Sequence, residues 1–167
     1  MVPDAVRLLV ARHGETRDNA AGRWQGWNDS ALTPQGIAQA EALARRLAGE
    51  PVAAVYASDL GRAAHTARIV AARHGLAVES SPALRERNVG IFAGLTGPEV
   101  EARYPAALSQ RSVNGVLDWA PPEGESFRHM LARATVPGEC QARTRGTGRP
   151  GRDARRRHPL AGRLWRR

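Results

Sequence analysis

At 167 residues the chain has the length of one ordinary domain, enough to bury a single core and short for two. A net charge of +9 would suggest nucleic acid or an anionic membrane as partner, yet residues 1–134 are near neutral, with 15 arginines against 14 acids, whereas residues 135–167 hold ten arginines against two acids. Cys140 is the only cysteine, which argues against an internal disulfide and a cysteine metal site, and the apolar run at 6–11 is shorter than a membrane span and unlike a signal peptide, so the expectation is a soluble cytoplasmic protein.

Arg7-Leu8-Leu9-Val10-Ala11 is short, apolar and followed at once by a turn, Arg12-His13-Gly14, which predicts a buried parallel strand ending in a functional loop. After a polar loop containing Trp24, Gln25, Gly26 and Trp27, Leu32-Thr33-Pro34 predicts a helix start. Thr33 can cap free N–H groups, and Pro34 is tolerated in the first turn. Ile37, Ala40, Leu43, Ala44 and Leu47 repeat at helical spacing. Residues 52–57 predict a second strand, Ser58-Asp59 the cap of a helix over 60–74, and residues 76–79 a weaker third strand. Thr96-Gly97-Pro98 starts a short helix carrying Val100 and Tyr104, and Ser126 begins a last helical segment. This alternation implies an α/β sandwich with a mainly parallel sheet, in which ligands sit beyond the carboxyl ends of the strands. Arg12-His13 and Ser58-Asp59 both lie at such an end. From Thr135 glycines, prolines and arginines replace any apolar period, so the expected organisation is a domain over 1–134 and a disordered Arg/Gly-rich tail over 135–167.

A histidine in a turn at a strand end can meet a ligand while the sheet holds its backbone. Phosphoryl transfer needs such a nucleophile in line with the leaving oxygen, and arginine forks around the remaining oxygens. Here Arg12-His13-Gly14-Glu15-Thr16 with Asn19 is followed by Gln25-Gly26. Then come Ser58-Asp59-Leu60-Gly61-Arg62-Ala63-Ala64-His65-Thr66-Ala67 and Leu84-Arg85-Glu86 with Gly90 and Gly94. Across residues 5–133 this constellation resembles the histidine phosphatase superfamily, also called phosphoglycerate mutase-like.

The resemblance implies a three-layer α/β sandwich. It implies that His13 is the phosphorylated nucleophile and that Arg12 and Arg62 clamp the phosphoryl oxygens. Asn19, Gln25 and Gly26 match loop positions that contact phosphate, and Glu86 matches the proton donor, giving His13 and Glu86 catalytic roles. No metal or cofactor is implied. The expected partner is a small-molecule phosphate ester, with no nucleic acid and no membrane. Glu15 reads as a structural partner, and Trp24, Trp27 and Trp119 as loop anchors, with a substrate mouth as their alternative role. The Glu125-Ser126 pair resembles a family pair that approaches the substrate side.

One feature of the family is missing: a second pocket histidine after a late apolar strand. His158 follows Arg155-Arg156-Arg157, where a buried strand would have to be, so the chain is expected to lack the last strand and helix. Displacing the reading frame by one base turns a CGN-C arginine junction into a codon for Val, Ala, Asp or Gly. Val-Val-Val-Thr-His is thereby permitted beneath Arg155 to Pro159, and Phe-Leu-Glu beneath Val136-Pro137-Gly138. The arithmetic points to a frameshift near Ala134.

The leading expectation is phosphomonoester hydrolysis through phosphohistidine on His13, impaired if the second histidine is absent. Phosphoglycerate mutase activity is the nearest alternative. The resemblance disfavours it, because family mutases carry a long insertion where only about thirty residues separate Gly94 from Glu125. An inactive phosphate-ester-binding remnant is a further alternative, and a tail that contacts nucleic acid is the weakest. The particular ester and the oligomeric state are not legible.

Overall fold

The computed structural model describes residues 7–134; the tail, with His158 and the expected frameshift, lies outside them. In chain order the elements are α1 (Arg17–Ala20), α2 (Pro34–Leu47), β1 (Val55–Ser58), α3 (Gly61–Ala72), β2 (Val78–Ser81), α4 (Gly97–Arg103), α5 (Pro105–Asp118) and α6 (Phe127–Arg133). Short 3-10 turns at Pro82–Leu84 and Gly90–Phe92 carry the chain from β2 toward α4.

β1 and β2 pair in parallel, Val55 opposite Val78 through Ser58 opposite Ser81. The crossover between them is α3, whose buried face packs on the strands and on α2. Ala40 and Ala44 of α2 and Ala64 and Ala71 of α3 are buried, and alanine at these positions lets the two helices approach closely. Mixed α/β architecture with a parallel sheet is therefore what the sequence folds into.

The expected strand at 7–11 is not formed. Leu8, Leu9 and Val10 are 56%, 45% and 92% exposed, and no described residue ladders with them. A strand exists only with a partner, however apolar its sequence, so this run has no regular secondary structure. The two remaining strands each begin later than their apolar runs suggest.

A second core forms where the sequence offers no simple period. Phe92 is fully buried beneath Trp24 at 5.8 Å, Tyr104 at 5.8 Å and Trp119 at 6.0 Å between ring centroids, with Val89 and Val100 closing the cluster. Trp24 is held there because the loop around it pairs with the backbone of 94–95: Trp24 N–H donates to Leu95 O at 2.8 Å, and Gly94 N–H to Trp24 O at 2.7 Å. Trp24 and Trp119 are thus core residues rather than the lining of a substrate mouth.

The expected cap of α3 also differs. Leu60 occupies the cap position without a side-chain bond. Asp29, from the distant loop, accepts instead from Gly61 N–H (2.8 Å) and Arg62 N–H (3.3 Å). Asp59 is drawn away by a two-pronged ion pair with Arg85, at 2.7 and 2.5 Å.

Candidate active site

The turn carrying His13 is pressed between α2 and α3. Gly14 N–H donates to Thr66 Oγ1 at 3.1 Å, and that hydroxyl donates to Arg62 O at 2.9 Å, tying the turn to one face of α3. Against α2 the approach is closer still. A Cβ on Gly14 would lie 2.2 Å from Gly36 O, and one on Gly36 would lie 2.0 Å from Glu15 O. Glu15 completes the seam by accepting from the Thr33 hydroxyl at 2.7 Å, which confirms its structural part.

His13 is half-buried, and its Nδ1 lies 2.7 Å from Gly14 O. A carbonyl oxygen only accepts, so Nδ1 carries the proton, and in the neutral ring Nε2 holds the lone pair. Burial, the largest influence, pushes the imidazole pKa below its ordinary value. The Gly14 hydrogen bond opposes this; Arg62 and Arg12 add to the lowering, and Glu86 opposes it. The same charges show that the fold gathers His13, Arg12, Arg62 and Glu86 into one neighbourhood. A cavity of about 300 Å³ opens beside the ring, lined by Arg12, His13, Gln39 and Thr66 together with the apolar Val10 and Leu43.

Arg62 is 3% exposed and donates from Nη1 to Asn28 O and from Nη2 to Gly26 O, both at 2.7 Å. Burial lowers its pKa, with Asp29, Glu86 and Asp18 opposing; a guanidinium nevertheless stays charged at any physiological pH. The loop thereby fixes the fork. Gly26 is required for this approach, since its φ is +54° and a Cβ would lie 2.7 Å from Val89 Cγ2. Gln25 is buried, and its amide oxygen has no hydrogen-bond partner. Asn19 Oδ1 accepts from Thr16 N–H at 3.2 Å in the capping box of α1, so its oxygen is engaged in structure. Arg12 is exposed.

Glu86 sits on the surface with Oε1 accepting from Arg87 N–H at 2.7 Å. Its carbonyl accepts twice, from Trp27 Nε1 at 2.8 Å and from Arg133 Nη2 at 2.9 Å. Arg133 also donates to Ala83 O and Arg85 O and forms a two-pronged pair with Glu125. Glu125 in turn accepts from Asn88 N–H at 2.8 Å, and Ser126 caps α6. Both members of the Glu125-Ser126 pair are thereby engaged in structural bonds. Among the described residues no group of three or more His, Cys, Asp or Glu could hold a metal, and no helix is long and apolar enough to cross a membrane.

The profile of the histidine phosphatase superfamily (branch 1) matches residues 8–146. The chain belongs to this superfamily. Among curated members it is 39% identical over 130 residues to a protein of Yersinia pestis (strain Pestoides F) named "Probable phosphoglycerate mutase GpmB", covering 77% of this chain and 59% of that one. Among solved structures, YhfR of Bacillus stearothermophilus aligns with a TM-score of 0.70 at 35% identity, over 82% of this chain and 67% of that one. A mycobacterial glucosyl-3-phosphoglycerate phosphatase in complex with VO3 aligns with a TM-score of 0.67 at 35% identity, over 73% and 57%. The alpha-ribazole phosphatase of Shigella flexneri aligns at 0.67 and 30%, over 72% and 59%. The chain spans about three fifths of the length of the curated relatives it matches.

Sequence reasoning did not find Asp29, the cap of α3, nor Arg133. It singled out Trp27 as a loop anchor, with a substrate mouth as the alternative, and not as a donor to the Glu86 carbonyl. Each acts through a contact across 30 or more residues, so no local pattern announces it.

Proposed function

We propose that this member of the superfamily hydrolyses phosphate monoesters through a phosphohistidine on His13. Nε2 attacks phosphorus, and the bond to the ester oxygen breaks as Glu86 protonates that oxygen. Water then attacks phosphorus and gives a proton to Glu86 as the P–N bond breaks, and inorganic phosphate leaves with the His13 ring restored. Arg12 and Arg62 would stabilise charge developing on the phosphoryl oxygens, and the side-chain amide of Gln25 would add a donor from the loop.

The observation that carries this reading is the Gly14 carbonyl on Nδ1, which leaves Nε2 as the free nitrogen of a ring whose protonation burial disfavours. The test is acid-labile, alkali-stable phosphate trapped on the protein during turnover of a labelled ester. It is expected with His13 intact and absent in His13→Ala. If no such phosphate forms on this chain or on a version with its C-terminus restored in the shifted frame, the reading is wrong.

A second reading is transfer rather than hydrolysis, favoured by the name of the 39% identical Yersinia relative. Phosphatases among the structural relatives and the short spacing from Gly94 to Glu125 favour hydrolysis. A labelled phosphoglycerate separates them, since label goes to inorganic phosphate in one case and to the other glycerate position in the other. Bound ester without either product would identify a remnant that only binds. We take the ester to be a small molecule handled without metal, nucleic acid or membrane.

A further inference from the structure

The segment that brings Glu86 to the site has no regular secondary structure between the 3-10 turn ending at Leu84 and the one beginning at Gly90. A proton donor on such backbone is only as well placed as its peptide groups are fixed. Here one guanidinium supplies most of the hydrogen bonds that do the fixing. Arg133, in the last turn of α6, donates to Ala83 O at 3.0 Å and to Arg85 O at 2.7 Å from Nη1, and to Glu86 O at 2.9 Å from Nη2. Its Nε donates to Glu125 Oε2 at 3.0 Å, and Nη2 also reaches Glu125 Oε1.

Glu125 extends the hold to the far side of the acid. Its Oε1 accepts from Asn88 N–H and its own N–H donates to Asn88 O at 3.0 Å. The Glu86 peptide is therefore clamped on its carbonyl and braced two residues on. Trp27 supplies the second donor to the Glu86 carbonyl, and its ring lies beneath two guanidinium groups, Arg85 at 4.9 Å and Arg133 at 5.9 Å. Arg85 is itself tethered to Asp59 just beyond β1. A planar fork with five donors can serve three carbonyls and one carboxylate together, whereas an ammonium has three donors and no fixed plane.

We propose that Arg133, assisted by Trp27, is a positioning residue for Glu86: it holds the backbone that aims the proton donor and touches no reacting atom itself. The inference rests on Glu86 being the acid in the proposed hydrolysis. It carries a signature that a general loss of folding lacks. An alkyl phosphate leaves as a strongly basic alkoxide and needs the proton, whereas an aryl phosphate with an acidic phenol leaves without it.

The test compares Arg133→Met, Arg133→Lys, Trp27→Phe and Glu86→Gln on one alkyl phosphate and on 4-nitrophenyl phosphate. Expected in Arg133→Met is a fall in kcat of about 10²-fold on the alkyl ester, a fall of less than about threefold on the aryl ester, and little change in KM. Arg133→Lys and Trp27→Phe are expected to show the same asymmetry more weakly. Combining Arg133→Met with Glu86→Gln should add nothing further. Equal losses on both esters in Arg133→Met, or none, overturn the inference while leaving the reaction intact. Glu86→Gln without the asymmetry instead overturns the acid role on which it rests.

Amide exchange on the same proteins gives a readout independent of turnover. Arg85, Arg87 and Asn88 N–H, all hydrogen-bonded here, should exchange at least tenfold faster in Arg133→Met, with α2 unchanged. Unaltered protection at these three amides would also overturn it.

Discussion

At His13, burial and two guanidinium groups act in one direction. With the folded pKa below the ordinary histidine value near 6.5, the imidazole keeps its Nε2 lone pair at pH values where a free histidine is already protonated. The acid limb of kcat/KM for phosphorylation is therefore expected below pH 6.5. Arg12→Gln, which removes one of the lowering charges, should move that limb upward. The same change should cost on the order of 10²-fold in kcat/KM, the usual loss for one donor to a developing anion. A pH–rate profile of both proteins checks the two expectations together. Stability follows with a definite sign: the unfolded chain binds more protons than the folded one below the ordinary value, so lowering the pH through 6.5 destabilises the fold. Another residue invites a different test. Arg87 is 7% exposed, stacks at 4.3 Å on Phe127, and leaves Nη1 buried without an acceptor. The cation–π contacts with Phe127 and, at 5.8 Å, with Trp119 offset up to about 2 kcal/mol, less than the usual cost of burying a charge that has no direct carboxylate partner and one donor unmet. Arg87→Met keeps the stem against the ring and should raise stability by roughly 1–2 kcal/mol in urea unfolding. The histidine, its two arginines and Glu86 stand out in the sequence because the chemistry proposed for them is bound to local motifs. Arg87, Asp29 and Arg133 were not, since their parts are set by what the fold brings against them.

Among the elements, the seam between the His13 turn and α2 is the least tolerant. Gly14 and Gly36 face each other so closely that either Cβ would overlap backbone, which cannot rotate away as a side chain could. Gly36→Ala is therefore expected to cost about 3 kcal/mol or more, at the upper end for overpacking, despite alanine's better helix propensity. Urea unfolding measures the cost, and the same variant should lose His13 reactivity because the turn is displaced. A change below 1 kcal/mol would show that the seam yields. The helices α2 and α6 were readable from their cap residues, Thr33 and Ser126, and α3 from its place after an apolar run, although its cap is Asp29 rather than Ser58-Asp59. α5 was not: it begins at Pro105 directly after α4, and Gly115, at φ 75°, interrupts its period. α1 was hidden as well, for its capping box closes with Asn19 where Glu or Gln is the usual signal. The run at 7–11 failed in the opposite sense, being a good strand sequence without a partner strand among the described residues.

On the scale of the whole molecule, that unpartnered run, the cavity beside His13 and the length of the relatives point the same way. Leu8, Leu9 and Val10 are exposed, Val10 and Leu43 line a cavity of about 300 Å³ next to the His13 ring, and the matched region spans 59% of the Yersinia relative. A segment that pairs with residues 7–11 would cover these side chains and close one side of the site. The tail as written offers ten arginines and few apolar residues for such a place, whereas the frame displaced near Ala134 permits Val-Val-Val-Thr-His. Replacing residues after Ala134 by the shifted-frame translation should add about 3–4 kcal/mol through burial of the three exposed side chains. Amide exchange at 8–11 should slow, and binding of an apolar dye should fall. If the displaced frame also supplies a second histidine, phosphate release should rise in the same protein, and His13→Ala should abolish it. The DNA sequence decides first: a displaced frame that encodes no apolar run and no histidine removes the segment. The exposed face at 8–10 would then be a permanent feature of this chain, and its pull toward other exposed strand edges would have to be met by association.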